Sequence, residues 1–156
     1  MIALPHGTMY SDEFDHFVDK LQIPNFVGVY MDNELPKRHK SEECGVLNLQ
    51  KNTMRGSHWL CWAVINETAY YFDSFGEPPN KSLKLYLNEL PIKRCAITVQ
   101  HDSSKECGSL CLYVLYFLFH GVKFCDILYS LQKRYKSQTQ KPLIIDTKWM
   151  YTSKHA

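Results

Sequence analysis

The chain has 156 residues and a mass of 18.3 kDa, the size of one domain with a single sizeable core. Hydrophobic residues make up 45% and charged residues 22%, which excludes a disordered chain. A net charge of +2 excludes a polyelectrolyte that binds nucleic acid over its whole surface.

The N-terminus, MIALPHGTMYSDEF, lacks the basic start and long apolar stretch of a signal peptide. The longest apolar run, Leu110 to Phe119, is about half of a membrane span. The expected setting is therefore intracellular, with reduced thiols. Ser11 can cap a helix, and Phe14, Phe17, Val18 and Leu21 follow at i, i+3, i+4 and i+7. Pro24-Asn25 ends it, and Phe26 to Tyr30 reads as a short strand. The polar stretch 31–43, which contains Pro36, predicts an exposed loop with Cys44 at its end. Val46 to Gln50 reads as a strand, and KNTMRGS turns the chain.

His58 to Ile65 is rich in aromatic and β-branched residues and predicts a strand. Asn66-Glu67-Thr68 is a hairpin turn, and Ala69 to Phe75 is the partner strand. Pro78-Pro79 makes 76–80 a rigid connection; Ser82 to Leu90 reads as a helix and Cys95 to Gln100 as an apolar strand. After a polar loop, residues 107–120 form a helix apolar nearly all round, which must be buried. Phe124 to Tyr135 is a second, amphipathic helix, and Pro142 to Asp146 is a candidate edge strand. The pattern predicts an α+β domain over 1–156, a mixed and mainly antiparallel sheet covered by helices.

Six cysteines, at 44, 61, 95, 107, 111 and 125, show no CxxC pair, so no metal site is expected. Cys61, Cys95 and Cys125 read as small core residues. The last 34 residues carry seven Lys/Arg against two Asp, and the first 122 carry eleven against fourteen acidic residues. The basic excess therefore sits at the C-terminus, as a solvated face or as a dock for an acidic partner or DNA.

Four residues at element ends suit one chemistry. A thiol becomes a good nucleophile when it ionises, and a helix N-terminus and a neighbouring imidazolium both favour that. Cys107 opens the buried helix, and His58 opens its strand as candidate base and acid. The hairpin brings Asp73 toward His58, where a carboxylate can fix the imidazole. The Gln100 amide and the Cys107 backbone N–H are candidate donors to an oxyanion. Gly108 removes bulk beside the thiol.

The segments Gly56-Ser57-His58-Trp59, Phe72-Asp73-Ser74-Phe75-Gly76 and Gln100-(six residues)-Cys107-Gly108 resemble the adenovirus-type cysteine proteases, adenain. Asn25 to Tyr30 and Val46-Leu47-Asn48 extend the resemblance upstream, over roughly residues 10–122. The resemblance implies a papain-like arrangement with the nucleophile at the N-terminus of a buried helix. It implies a catalytic set of His58, Asp73, Gln100 and Cys107, with Trp59 near the imidazole. Trp59 and Gly108 are the expected substrate-binding residues. Cys111 matches a further adenain cysteine that is not the nucleophile. The implied activity is an endopeptidase acting after Gly-containing sites in capsid or core precursors of DNA viruses or related transposons. The implied location is the host nucleus or cytoplasm, or the virion. No cofactor is implied for the chemistry; an activating peptide or DNA is the implied effector. Asp73 stands where adenain commonly has Glu, as in the proteases of ubiquitin-like modifiers. An isopeptidase acting on such modifiers is thus an alternative, and a silent binding module with the same fold is another.

Overall fold

The computed structural model describes residues 1–49, 58–139 and 141–148. Its elements in chain order are β1 (Ile2–Ala3), α1 (Ser11–Leu21), β2 (Phe26–Met31), β3 (Glu43–Leu49), β4 (His58–Ile65), β5 (Thr68–Phe72), α2 (Lys81–Tyr86), β6 (Ile92–Arg94), α3 (Cys107–Phe119), α4 (Phe124–Ser137) and β7 (Ile144–Ile145). The expected KNTMRGS turn, with Gln50 before it, lies outside the described residues.

Five strands form one mixed sheet in the order β2-β3-β4-β5-β6. The two central pairings, β3–β4 and β4–β5, are antiparallel, and the two outer ones are parallel. β1 and β7 form a separate antiparallel pair. The β4–β5 hairpin closes through Asn66 and Glu67, both with positive φ (49° and 61°), as a two-residue hairpin turn of matching twist requires. Among the described residues, no helix is long and apolar enough to cross a membrane.

Central strand β4, HWLCWAVI, is buried along almost its whole length because both faces of the sheet are covered. Trp59, Cys61 and Ala63 face a core shared with α1, α3 and α4, in which Phe14, Leu110, Cys111 and Leu115 are fully buried. Leu60, Trp62 and Val64 face a second cluster with Leu83 and Leu87. Each buried Leu, Val or Phe among them contributes about 1.5–3 kcal/mol by leaving water. α3 packs against β4, α1 and α4 together, which explains its apolar residues on every side.

Glu43 opens β3 almost fully buried. Its carboxylate accepts the Lys40 N–H (2.6 Å), the Trp62 indole N–H (2.7 Å) and the Tyr86 hydroxyl (2.7 Å). A buried carboxylate needs that many donors, and here it ties β3 to β4 and α2. Strand β3 therefore begins earlier than its apolar pattern predicts, and Cys44 is a core residue rather than part of an exposed loop. Burial, then the neighbouring Cys61 and Glu43, push the Cys44 thiol far up.

Other differences have local causes. The N-cap of α1 is Tyr10, not Ser11, and the Glu13 carboxylate reaches back to the Tyr10 N–H at 2.9 Å. β5 stops at Phe72 because Asp73 to Gly76 form a turn, closed by Gly76 N–H to the Asp73 carbonyl at 2.8 Å. Residues 95–100 are consequently not a strand: past Arg94 there is no straight neighbour to pair with. That segment instead follows the turn by single bonds, Cys95 N–H to the Tyr71 carbonyl (3.1 Å) and Val99 N–H to the Ser74 carbonyl (2.8 Å). α2 begins after Asn80, whose side chain caps Leu83 N–H at 3.0 Å, and it ends before Leu87. Cys61 and Cys95 are buried, whereas Cys125 lies on the exposed face of α4.

Candidate active site

The geometry of the site starts from the β4–β5 register. Cys61 pairs with Phe72, so the residues just past Phe72 run beside the start of β4. There the Asp73 turn bends the chain. Gly76 has a φ of +76°, and a Cβ on it would come within 2.8 Å of the Ile97 carbonyl oxygen; only glycine fits. The Asp73 Oδ1 accepts the Phe75 N–H at 2.8 Å, the local bond that Asp makes in turns. The same oxygen accepts from His58 Nε2 at 2.9 Å. Asp73 is thus held by its own turn before it holds the histidine.

His58 is largely buried, with the Phe75 ring 5.1 Å from its own. With Nε2 given to Asp73, Nδ1 is the nitrogen left for a second partner, and that tautomer is assigned from the hydrogen bonds. The Cys107 side chain is close enough to act on the imidazole. Burial draws the imidazole pKa down, but the hydrogen bond to Asp73 and the interactions with Asp73 and Cys107 outweigh it, and the pKa is raised to about 9. At neutral pH the imidazole is a cation beside a sulfur, the pairing that favours thiolate over thiol.

Cys107 is the first residue of α3 and is 7% exposed. Its Sγ also accepts the Trp59 backbone N–H at 3.5 Å. As the first helical residue, it keeps its own N–H outside the intrahelical ladder.

Gln100 is buried between the Asp73 turn and the loop before α3. Its Oε1 accepts the Ser74 hydroxyl at 2.5 Å, and its Nε2 donates to the Ser104 carbonyl at 2.9 Å. One bond to each end fixes the orientation of the amide and leaves its second N–H proton uncommitted among the described residues. His58 and Asp73 line a groove of about 910 Å³ with Leu49, Phe75, Glu77 and Asp102. Gln100 lines a separate groove of about 530 Å³ with Glu106 and Arg134.

The structure therefore joins His58 to Asp73 by a hydrogen bond and places Cys107 near the imidazole, with Gln100 anchored one residue from Asp73 through Ser74. It uses Trp59 and Gly108 differently from the substrate-lining role expected of them. The Trp59 ring is 3% exposed, packs edge-on against Phe14 at 4.7 Å, and donates its indole N–H to the Met9 carbonyl at 3.0 Å. A Cβ on Gly108 would meet Met9 and Phe14 at 2.9–3.0 Å, so the missing side chain makes room for the core. Ser74 and Phe75 carry no signal of their own in the sequence beyond adjacency to Asp73. Among the described residues, no group of three or more His, Cys, Asp and Glu side chains is placed to hold a metal ion.

No family model matches the sequence, and no curated protein matches it. Among solved structures, the selenomethionine form of the ASFV pS273R protease aligns over 90% of this chain and 69% of its own, with a TM-score of 0.54 at 14% identity. A further crystal structure of the ASFV pS273R protease aligns over 90% and 68%, with a TM-score of 0.47 at 15% identity. The chain has the α+β fold of the first of these, in agreement with the adenain-type resemblance read from the motif residues.

Proposed function

We propose that this chain is a cysteine endopeptidase that cleaves peptide bonds after Gly-containing sites in viral structural precursors. The observation that carries the reading is His58 bonded to Asp73 with Cys107 near the imidazole; the protease fold of the structural neighbour supports it. The Cys107 thiolate attacks the scissile carbonyl carbon, and the oxygen takes the negative charge. The Cys107 N–H and the free Gln100 amide proton are the donors to that oxyanion. The His58 imidazolium gives its proton to the leaving amine, and an acyl-thioester remains on Cys107. His58, now neutral, takes a proton from water as the water attacks the thioester; the carboxylic acid leaves, and the Cys107 thiolate and His58 imidazolium of the start are restored. Asp73 keeps the imidazole in the tautomer and orientation that both transfers need.

The test is a panel of Gly-Gly-containing peptides and ubiquitin-like conjugates incubated with the wild-type chain, Cys107→Ser and Cys111→Ser. Cleavage by wild type and Cys111→Ser, and none by Cys107→Ser, is the expected result. Cleavage that survives in Cys107→Ser overturns the assignment. Cleavage confined to the conjugates would replace the precursor substrate with a modifier.

A further inference from the structure

Leu4 to Met9 precede α1 and form no helix or strand, yet Leu4, Pro5, His6 and Met9 are each tied to residues far away in sequence. The Leu4 N–H donates to the Leu143 carbonyl at 2.8 Å, continuing the β1–β7 pair. The Ser109 hydroxyl donates to the Pro5 carbonyl. His6 Nδ1 lies 2.8 Å from Glu106 Oε1. The Met9 side chain fills the space above Gly108, and the Met9 carbonyl holds the Trp59 indole. This strap therefore contacts residues 106, 108 and 109, around the nucleophile, and also Trp59, whose backbone N–H contacts the nucleophile itself.

The first turn of α3 needs such a brace. A helix N-terminus leaves its first N–H groups unpaired and is usually fixed by a side-chain cap. Here the N-cap residue, Glu106, makes no cap bond. Its carboxylate is spent on Arg134, at 3.0 and 3.1 Å, and on His6. Cys107 thus begins a helix whose usual anchor is absent, and the anchors present are the strap on one side and Arg134 on the other.

We infer that the strap Leu4–Met9 is a positioning element for the nucleophile. By holding Trp59 and Ser109 it sets the place of the Cys107 sulfur against His58. The inference rests on the catalytic reading of Cys107. It matters because a misplacement of about 1 Å at a reacting atom costs on the order of 100-fold in rate. The elements that carry the chemistry, β4 and α3, would then depend on backbone carbonyls 50 and 104 residues earlier in the chain.

Full-length variants test this. Trp59→Phe keeps a ring on Phe14 and removes the indole donor to Met9; Ser109→Ala removes the donor to Pro5. His6→Ala sits at a half-exposed position and keeps the test open if a buried variant fails to fold. For each, the rate of Cys107 alkylation by iodoacetamide is followed from pH 5 to 9, with peptide kcat and KM and the thermal midpoint. All rates are taken well below the midpoint. The expected result is an alkylation profile displaced to higher pH and a kcat lowered roughly tenfold or more, with KM little changed. Profiles that superimpose on wild type in the variants that fold, with only the midpoint lowered, overturn the inference and make the strap mere packing. If wild-type Cys107 reacts no faster than the exposed Cys125, the catalytic reading falls and the strap's role falls with it.

Discussion

Replacing Asp73 by Asn should change how stability depends on pH, and the size of the effect follows from His58. The His58 pKa stands at about 9 against the ordinary 6.5. At about 1.4 kcal/mol for each tenfold change in proton affinity, that gap is worth about 3 kcal/mol. Only 11% of the imidazole side chain is exposed, so solvent screening removes little of it. The folded-state value is raised, so the stabilisation is fully present below about pH 6.5 and is lost as pH climbs through about 9. Asn presents no charge, so the variant lacks the share of this contribution that comes from Asp73 and keeps only the share from Cys107. Unfolding by urea, followed at intervals from pH 6 to 10, should show a gap between wild type and Asp73→Asn that narrows by up to about 3 kcal/mol across the range. Cys44, Tyr71 and Tyr86, all pushed up chiefly by burial, also lose stabilisation at high pH. For Cys44 and Tyr86 the loss is the same in both proteins and the difference removes it, whereas part of the Tyr71 rise comes from the Asp73 charge and goes with the substitution. A gap that stays constant from pH 6 to 10 would refute the claim that Asp73 keeps His58 cationic.

Two further substitutions separate chemistry from packing. Gln100→Ala removes a proposed oxyanion donor, so kcat on a cleavable peptide should fall about 100- to 1,000-fold with little change in KM; an unchanged kcat would remove Gln100 from the mechanism. Gly108→Ala places a Cβ within 2.9–3.0 Å of Met9 and Phe14, which are themselves buried. Thermal unfolding should report a loss of about 1–3 kcal/mol despite the better helix propensity of Ala, and an unchanged midpoint would mean that Met9 yields freely.

The parts of the site that were legible in the sequence are those whose signal is local. His58 and Asp73 are joined by a hairpin whose two strands and turn each have their own pattern, so their approach follows from composition and register alone. Cys107 is marked by the abrupt start of an apolar helix. The segment 95–100 misled because Cys95 and Val99 are buried without being in a ladder. Burial sets the apolar pattern, whereas strand pairing needs a straight neighbour, and the Asp73 turn removes it. Cys44 misled for the opposite reason: the charged residues before it mark an exposed loop, but Glu43 is a carboxylate buried on three donors, two of which, on Trp62 and Tyr86, lie far away in sequence.

The contacts that hold the site were not legible, and the reason is chemical. The groups that orient Trp59 and Ser109 are the carbonyls of Met9 and Pro5, and every residue carries a carbonyl. A side-chain nucleophile or base must be a particular residue type, so it leaves a mark in the sequence; a backbone acceptor leaves none. The marks that remain belong to the partners. Trp59 and Ser109 supply the donors, and Gly108 supplies the space that lets the chain come close. All three lie within two residues of a proposed catalytic group, and each looks in sequence like an accessory to its neighbour. Trp59 and Gly108 accordingly drew a substrate-binding reading from their position beside His58 and Cys107. In the structure the Trp59 ring, and the space left open at Gly108, face Met9 of the N-terminal strap. The same adjacency that made them look like substrate contacts lets them pass the strap's position on to the reacting atoms. Gly108→Ala and Trp59→Phe should therefore disturb Cys107 from behind, through Met9, with the His58–Asp73 bond left intact.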